Sequence, residues 1–385
     1  MLPRQQNHAD TEKDATDARG SGSAVSPVQN KNARAIRETM PTDVAPRLPL
    51  APPPVSRHRD VAVTIGNNQL RTTPVFDAYW RFAAERQRIF FRRLEGFRGA
   101  LTTDPVLKLF KFTNAYRASD RVSQYLLRKV IYRDDLPNDA RNVFFRTILF
   151  KLFNKIETWQ HLEAAIGKIT WEDFDFARYD KLLTRRMVVG ETIYSAAYIM
   201  PSGGSFFGHK LKHQNHLRMI EHLFTERYPE KLSDCKTMTE AFALLRTVPF
   251  VGPFLAYQYV TDFNYSELTN FGEDEFVMAG PGALDGISKC FIGVDTVKSS
   301  DVIRYMFDHQ EEHFEKLDIE FSNLWGRRLQ LIDCQNLFCE ISKYARVAFP
   351  DYTGIAGRTR IKQKYELTGP LPEPFYPPKW KVGVR

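Results

Sequence analysis

The sequence predicts an all-α fold, and three observations lead to this prediction. Apolar residues recur at helical spacing through most of the chain between residues 61 and 365. Proline and glycine stand between these segments, where one helix would end and the next begin. The alternating pattern of a half-buried strand occurs only in short pieces, such as 192–200. A fold of helices packed on helices therefore fits the pattern best.

Composition divides the 385 residues into three parts. Residues 1–60 are polar, charged and poor in aromatic side chains, which predicts a disordered leader. Residues 61–365 form the predicted helical domain. Residues 366–385 are rich in proline, and we expect this tail to be extended, either wrapped on the surface or free of it.

Periodicity and capping signals predict the helices of this domain in order. The second helix starts at Asp104-Pro105, because a capping carboxylate followed by proline is typical of a helix N-terminus. The segment 143–159 is apolar nearly all round, as expected of a buried central helix. The predicted helices cover 79–97, 105–132, 143–159, 206–227, 238–247, 254–263, 299–317 and 329–348.

The balance of charges and rings suits a nucleic-acid partner. The formal net charge is +8, the isoelectric point is near 9.2, and aromatic residues make up 13% of the chain. Lysine and arginine contact phosphates, and aromatic rings stack on bases. Core packing explains most of the phenylalanines equally well, so composition alone does not decide the partner.

Cysteine usage and hydropathy indicate the compartment. No Cys-x-x-Cys motif occurs, so the sequence predicts no zinc site, iron–sulfur cluster or disulfide framework. We expect free thiols in a reducing compartment. There is no apolar run of 18 residues and no signal-peptide pattern, which predicts an intracellular protein without a membrane segment. The four thiols are Cys235, Cys290, Cys334 and Cys339.

The segment 244–256 is the most informative motif. It predicts a helix, a short turn carrying proline and glycine, and a second helix that begins at Phe254. Such a turn presents backbone amides and the positive end of the second helix to a phosphate. The amides of Val251, Gly252, Phe254 and Leu255 are the candidate donors. An ordinary helix–helix connection is the alternative.

A polar stripe on the second predicted helix is a candidate DNA-binding face. At helical spacing, Asn114, Arg117 and Arg121 share one side of 105–132 with Gln124 and Arg128. Arginine and asparagine suit phosphate and base contacts. A solvated helix face explains the same pattern.

Two motifs fail the tests of their class. The glycine-rich run 203–210 is no nucleotide-binding P-loop, because His209 separates Gly208 from Lys210 and no serine or threonine follows the lysine. No cofactor is evident. Four histidines lie close together without the companion residues of a metal site, and we expect them on the surface: His209, His213, His216 and His222.

Carboxylates on two later segments are candidates for acid–base chemistry. Asp285 lies in a loop with three glycines, where it could cap the next helix or take part in catalysis. Glu340 shares a face of the last helix with Asp333, Asn336 and Lys343. A partly buried Glu340 could act as general acid or base, and a surface salt bridge is the alternative.

Six segments, taken in order, resemble a known family. The core from about residue 74 to residue 365 resembles the helical domain attached to 5-hydroxymethyl-deoxyuridine (5-hmdU) DNA kinases, which is allied to the alpha-glutamyl/putrescinyl-thymine pyrophosphorylases of bacteriophages. The segments that carry the resemblance are YWRFAAERQ (79–87), FTNAYRASDR (112–121), FKLFNKIETW (150–159), VPFVGPFLAY (248–257), GPGALDG (280–286) and DCQNLFCEISKY (333–344).

This resemblance implies a branch of the helix-hairpin-helix DNA glycosylase superfamily. It implies a fold that grips DNA through the hairpin and receives a modified thymine in a pocket. Asp285 best matches the aspartate that follows the hairpin in glycosylases. Apart from the resemblance, we expect Glu340 or Asn114 to lie near Asp285 and to assist proton transfer. At Phe250 the hairpin usually has glycine, and a side chain there resists a positive φ.

Three hypotheses of function follow. The first is a DNA-binding helical enzyme or subunit that acts on modified thymine, such as 5-hydroxymethyluracil, in base hypermodification, as a transferase or a pyrophosphorylase-like enzyme. Arg117 and Arg121 would then help to hold the phosphates. The second is a glycosylase that removes such bases, and the third is a non-catalytic reader that recruits a separate kinase. Without a P-loop motif, we do not expect this chain alone to act as the kinase.

Overall fold

Helices dominate the computed structural model, which describes residues 61–367 and 369–383. The described residues form fifteen α-helices and one small antiparallel sheet. The predicted helical character is confirmed, and the sheet was missed. The predicted leader, 1–60, lies outside the described residues.

The helices are bounded as follows, in chain order: α1 (Pro74–Leu94), α2 (Pro105–Leu109), α3 (Arg121–Leu126), α4 (Ala140–Phe153), α5 (Ile156–Ile166), α6 (Phe176–Val188), α7 (Gly204–Phe207), α8 (Lys212–Thr225), α9 (Tyr228–Asp234), α10 (Met238–Arg246), α11 (Pro253–Phe263), α12 (Pro281–Cys290), α13 (Ser299–Asp308), α14 (Gln310–Lys316) and α15 (Leu331–Ala348). The strands are β1 (Ala62–Ile65), β2 (Asn68–Thr72) and β3 (Phe291–Ile292), in the order β1-β2-β3.

The sheet links the start of the helical region to α12. A two-residue turn joins β1 to β2, and Gly66 supplies the positive φ of 60° that such a turn requires. Thr72 pairs with Phe291 at the other edge of β2. Thr73 then caps α1, and its backbone amide donates to the Cys290 carbonyl. The strands were too short to be predicted from alternation.

Two long helices, α1 and α15, pack in the core. Tyr79 and Trp80 of α1 are fully buried, and the Tyr79 hydroxyl donates to the Cys334 carbonyl of α15 at 3.1 Å. Helix α15 also lies directly against α12. A Cβ at Gly286 would overlap the Phe338 carbonyl, and one at Gly282 would lie tightly against Cys339, so glycine sets the separation of these two helices.

The prediction of one helix over 105–132 is wrong. After α2 the chain is extended, and Phe110 forms a bridge with Lys364. A 3-10 turn at Arg117–Ser119 follows, then α3, then a π-helical segment at Leu127–Ile131. Asn114, Arg117 and Arg121 therefore do not share one helical face. The buried Arg86 guanidinium donates hydrogen bonds to the carbonyls of Phe112 and Thr113. These bonds take the place of the helical hydrogen bonds that the two carbonyls would otherwise accept.

Three other predicted helices are divided by local breaks. Asn154, with φ of 47°, ends α4 in the left-handed conformation that asparagine tolerates. Residues 208–211 separate α7 from α8, and His309 separates α13 from α14. The candidate strand 192–200 is a loop, and α6 was not predicted. The bounds of α10, α11 and α15 agree with the predicted bounds to within two residues.

The tail packs on the helical domain over its described residues. Gln124 exchanges hydrogen bonds with the backbone of Phe375, and Lys379 donates to the carbonyls of Ser266 and Thr269. The Trp380 ring lies 3.7 Å from the Arg327 guanidinium carbon. Of the two alternatives for the tail, a wrapped conformation is the one found here.

The prediction for the cysteines is confirmed, and the prediction for two of the histidines is wrong. The four cysteines are free thiols, as predicted. His213 and His216 are buried, so their predicted surface location is wrong. His213 contacts Asp180 at 2.7 Å, and His216 lies between Tyr194 and the Pro201 carbonyl. Over the described part of the chain, no helix is long and apolar enough to cross a membrane.

Candidate nucleic-acid interface

The predicted helix, turn and second helix are present as α10, a turn over 247–252, and α11. The Val251 amide donates to the Val248 carbonyl, which closes the turn. The Arg246 guanidinium donates to the Val251 carbonyl at 2.7 Å and braces the turn from outside. The turn is therefore a defined structure and not a loose connection.

Phe250 adopts the conformation that its side chain was expected to resist. Its φ is 65°, in the left-handed region. That conformation costs a non-glycine residue about 1–2 kcal/mol. The Phe250 ring packs edge-on to Phe206 and lies against Gly203, and this contact offsets part of the cost. Phenylalanine therefore takes the left-handed conformation at the position where glycine was expected.

The N-terminus of α11 is free of side-chain caps. Gly252 occupies the N-cap position and Pro253 the first helical position. The amides of Phe254 and Leu255 have no intrahelical acceptor because they lie in the first turn. The Val251 amide is already used within the turn, so its contact with phosphate stays a prediction that would require the turn to open.

A second helix N-terminus lies beside the first. Helix α12 begins in the same way, with Gly280 as N-cap, Pro281 next, and no side-chain cap. A Cβ at Gly280 would overlap the Phe254 ring, so the two helix starts meet across this ring. We call them the paired N-termini. Each carries the partial positive charge of a helix macrodipole.

Asp285 is placed differently from expectation. It lies within α12 and does not cap it, since Gly280 is the N-cap. Its carboxylate is 1% exposed, accepts hydrogen bonds from Ser342 and from the Ala356 amide, and pairs with Lys289 at 3.4 Å. Burial raises the pKa of Asp285, but these partners outweigh burial and leave the pKa below its ordinary value. The carboxylate is committed to holding the 354–356 loop.

Glu340 and Asn114 lie close together, linked through Thr113, and the assistance of either one to Asp285 stays a prediction. The Glu340 carboxylate accepts from the Thr113 amide at 2.9 Å and from Lys343 at 2.7 Å. The Asn114 side chain donates to the Ser119 carbonyl at 2.8 Å and accepts from Arg86 at 3.1 Å. These contacts hold the 112–120 segment against α15.

Asp120 completes this group and was missed at the sequence level. Its carboxylate accepts from the Asn114 amide at 2.8 Å. Burial and the charge of Glu340 raise the pKa of Asp120 to about 7, against the opposing effect of that amide. A carboxyl group poised near neutral pH suits proton transfer. We call Asn114, Asp120 and Glu340 the Asp120 cluster; the only sequence signal was an aspartate ahead of α3.

Arg117 lies inside the protein, only 2% exposed. It pairs with Asp262 at 2.8 Å, and Lys151 pairs with the same carboxylate at 3.1 Å. We call these three residues the Asp262 triad. Gln258 and the Tyr265 hydroxyl also contact the Arg117 guanidinium. DNA contact by Arg117 stays a prediction, and it would require this network to open.

Arg121 lies at the surface, as a phosphate contact requires. Its side chain is 64% exposed and stands 3.8 Å from Glu157, which is also exposed. An exposed pair of this kind contributes about 0–1 kcal/mol, so it does not tie Arg121 down. Arg121 remains available to a ligand.

The Tyr198 ring lies against two members of the Asp262 triad, Lys151 and Arg117. The Tyr198 ring centroid lies 4.7 Å from the Lys151 ammonium and 5.9 Å from the Arg117 guanidinium carbon. The ring is nearly parallel to Phe254, at 12° and 5.9 Å between centroids. Tyr198 thus connects the triad to the paired N-termini.

A cavity of about 200 Å³ lies to one side of the Asp120 cluster. It touches Arg86 but is otherwise lined mainly by apolar groups, including Ile89, Leu101 and Leu107. The carboxylates of the Asp120 cluster do not line this cavity, so we do not assign it as the site of acid–base chemistry.

Comparison with known proteins decides the family. A family model described as "5-hmdU DNA kinase, helical domain" matches residues 73–354. The chain belongs to this family. The matched range of this helical domain includes the hairpin, α12, the Asp120 cluster, the Asp262 triad and Tyr198, and it stops before the tail.

A curated relative agrees with this assignment. The 5-hmdU DNA kinase of Bacillus phage SP10 is 27% identical over 301 residues, which is 72% of this chain and 47% of that protein. The chain therefore spans about half the length of the curated relative that it matches. No solved structure matches the 5-hmdU DNA kinase helical domain described here.

Proposed function

We propose that this chain is a DNA-binding helical domain that engages 5-hydroxymethyluracil or a related modified thymine in DNA, as part of base hypermodification. The family match over 73–354 carries this proposal, because it covers every element of the candidate interface. The name of the relative supplies the substrate class. The phosphoryl transfer implied by that name is a property of a longer protein, of which the match covers 47%.

The paired N-termini are proposed as the phosphate grip. Both helix starts are uncapped and they touch at the Phe254 ring, so amide donors and two macrodipole ends lie near each other. Arg121 supplies an exposed cation. We propose that α10, the turn and α11 form a hairpin of the helix-hairpin-helix DNA glycosylase type, supported by the positive φ of Phe250.

The Asp120 cluster is proposed to read the modified base. A 5-hydroxymethyl group carries one hydroxyl donor, and ionised Asp120 or Glu340 can accept from it. The Asn114 side chain has a second N–H and a second lone pair besides its bonds to Ser119 and Arg86, and these can also meet the base. Asp285 was the leading candidate for catalysis, and its engagement with Lys289 and Ser342 favours a structural role instead.

The direct test is a competition binding assay. The full chain is titrated with a fluorescent duplex that contains one 5-hydroxymethyluracil, and unlabelled duplexes with 5-hydroxymethyluracil or thymine at that position compete for it. We expect the modified competitor to displace the probe at lower concentration. Equal displacement by both duplexes would contradict recognition of the modified base.

The same samples separate the alternatives. Alkali treatment after incubation cleaves abasic sites, so strand breaks would favour a glycosylase. Mass spectrometry of nucleosides, with and without nucleotide cosubstrates, would reveal a transferase product. Selective binding without any product, together with capture of a separate kinase, would favour the reader.

A further inference from the structure

We infer that Tyr198 occupies the site that receives an extrahelical pyrimidine, so that the described conformation is the self-plugged form of the base pocket. This inference rests on the proposed function, since it names where the modified base binds. The site lies between the Phe254 ring and the Asp262 triad.

The geometry around Tyr198 is that of a bound planar ring. One face of the site offers Phe254, nearly parallel to the tyrosine ring. Lys151 and Arg117 lie over the ring at cation–π distances. Burial raises the pKa of the Tyr198 hydroxyl to about 12, and the charge of Arg117 partly opposes this rise. The charge of Asp120 raises the same pKa. A pyrimidine of similar ring size would meet the same surfaces, with its substituents toward the Asp120 cluster.

The backbone at Tyr198 is strained. Its φ is 55°, a left-handed conformation that L-residues other than glycine, asparagine and aspartate adopt rarely. Such strain persists only where the surroundings compensate for it. Here the contacts of the tyrosine ring with Phe254 and with the two cations compensate for the strain. A bound base could make the same contacts in place of the tyrosine ring.

The chain is fastened on both sides of Tyr198 and exposed between. On one side the Ser195 amide donates to the Phe153 carbonyl, and on the other Met200 is buried. Between them, Ala196, Ala197 and Ile199 are exposed, Ile199 to 67%. A short arch with fixed ends can lift one ring without disturbing the packed helices.

The test compares three proteins with matched backbones. Tyr198→Asn removes the ring and keeps a residue that tolerates the left-handed conformation. Ala197→Gly loosens the same arch and keeps the ring. The probe is a duplex with 5-hydroxymethyluracil in a G mismatch, with 2-aminopurine beside it to report unstacking. Thermal unfolding checks that all three proteins are folded.

We expect Tyr198→Asn to bind this duplex about tenfold more tightly than the wild type, as when an open state populated to about one-tenth becomes the dominant one. The 2-aminopurine signal should rise further, and Ala197→Gly should behave as the wild type. If the wild type binds the duplex, equal or weaker binding by Tyr198→Asn would overturn the inference, since a ring that wedges into DNA predicts that loss.

A second measurement does not depend on the phosphate grip. Free 5-hydroxymethyl-2′-deoxyuridine is added to each protein, and saturation-transfer NMR reports contact. We expect a signal with Tyr198→Asn that is weaker or missing in the wild type. If no protein binds the duplex but Tyr198→Asn binds the nucleoside, the proposed DNA grip fails and the pocket stands. No nucleoside signal with Tyr198→Asn would overturn the pocket.

Discussion

At the scale of single residues, Asp120 shows how an environment changes a carboxyl group. Burial and Glu340 raise its pKa to about 7 in the folded protein, above the ordinary value near 4. Between these two pH values the folded state holds a proton that the unfolded state has released. The contribution of Asp120 to the free energy of unfolding therefore falls as pH rises from about 4 to about 7.

Asp120→Asn should remove this dependence. The asparagine keeps an acceptor for the Asn114 amide and does not ionise. We expect the stability of the wild type relative to Asp120→Asn to decline over that pH range, by about 1.4 kcal/mol for each step of one in pH. Urea unfolding at pH 4, 5.5, 7 and 8 measures the difference. A constant difference across this series would show that Asp120 titrates normally.

Asp285 gives the opposite case, a carboxylate held in its charged form. Asp285→Asn leaves Lys289 buried without its anionic partner, and breaking a buried pair costs about 3–5 kcal/mol. We expect a large loss of stability in urea unfolding, with duplex affinity per folded molecule unchanged. An Asp285→Asn protein that unfolds like the wild type but loses turnover would instead restore the catalytic assignment.

Some of these residues could be predicted from sequence and others could not. Glu340 and Asn114 were expected as alternative helpers of Asp285, but in the structure they group with Asp120, while Asp285 accepts from Ser342. The burial of Arg117 could not be read from its neighbours, since its partner Asp262 lies on a different helix far along the chain. Tyr198 was missed because its φ and its stacking on Phe254 follow from tertiary structure.

At the scale of elements, the close approach of α12 and α15 is set by glycine. Gly286→Ala adds a methyl group that would overlap the Phe338 carbonyl. Alanine gains about 1 kcal/mol in helix propensity, but overpacking of a core costs about 1–3 kcal/mol and exceeds that gain where backbone must move. We expect a net loss of stability in urea unfolding.

Gly252→Ala is the matched control for this substitution. Its Cβ would meet no atom within 4 Å, and its φ of −73° suits any residue. Because alanine is a poorer N-cap than glycine, we expect a loss of stability of about 1 kcal/mol or less. If Gly286→Ala proved as stable as Gly252→Ala, the two helices would not be limited by this contact.

Element boundaries show where sequence signals suffice. Capping and proline signals located α10 and α11 closely, because those signals are local. The long helix predicted over 105–132 failed because periodicity continued while Arg86, from another helix, drew the carbonyls of Phe112 and Thr113 away. Asn154 carried a usable signal, since asparagine is a common left-handed helix terminator.

At the scale of the whole molecule, DNA binding as proposed requires two helix starts to act together. In the sequence, the α11 turn and the glycine-rich segment before α12 are separate motifs. Their contact through Phe254 and Gly280 is a property of the fold. The excess of basic residues favours a polyanion in general, and the paired N-termini specify where its phosphates would bind.

If DNA phosphate binds at the paired N-termini, Gly252→Asp should weaken that binding. Aspartate at this N-cap position would accept from the first-turn amides and place a negative charge in the grip, while keeping or slightly raising stability. The measurement is duplex affinity as a function of salt for the wild type, Gly252→Ala and Gly252→Asp. We predict that Gly252→Asp alone binds more weakly and that the slope of log K against log salt becomes shallower by about 1, the loss of one phosphate contact. Identical affinity and slope for Gly252→Asp and Gly252→Ala would contradict the claim.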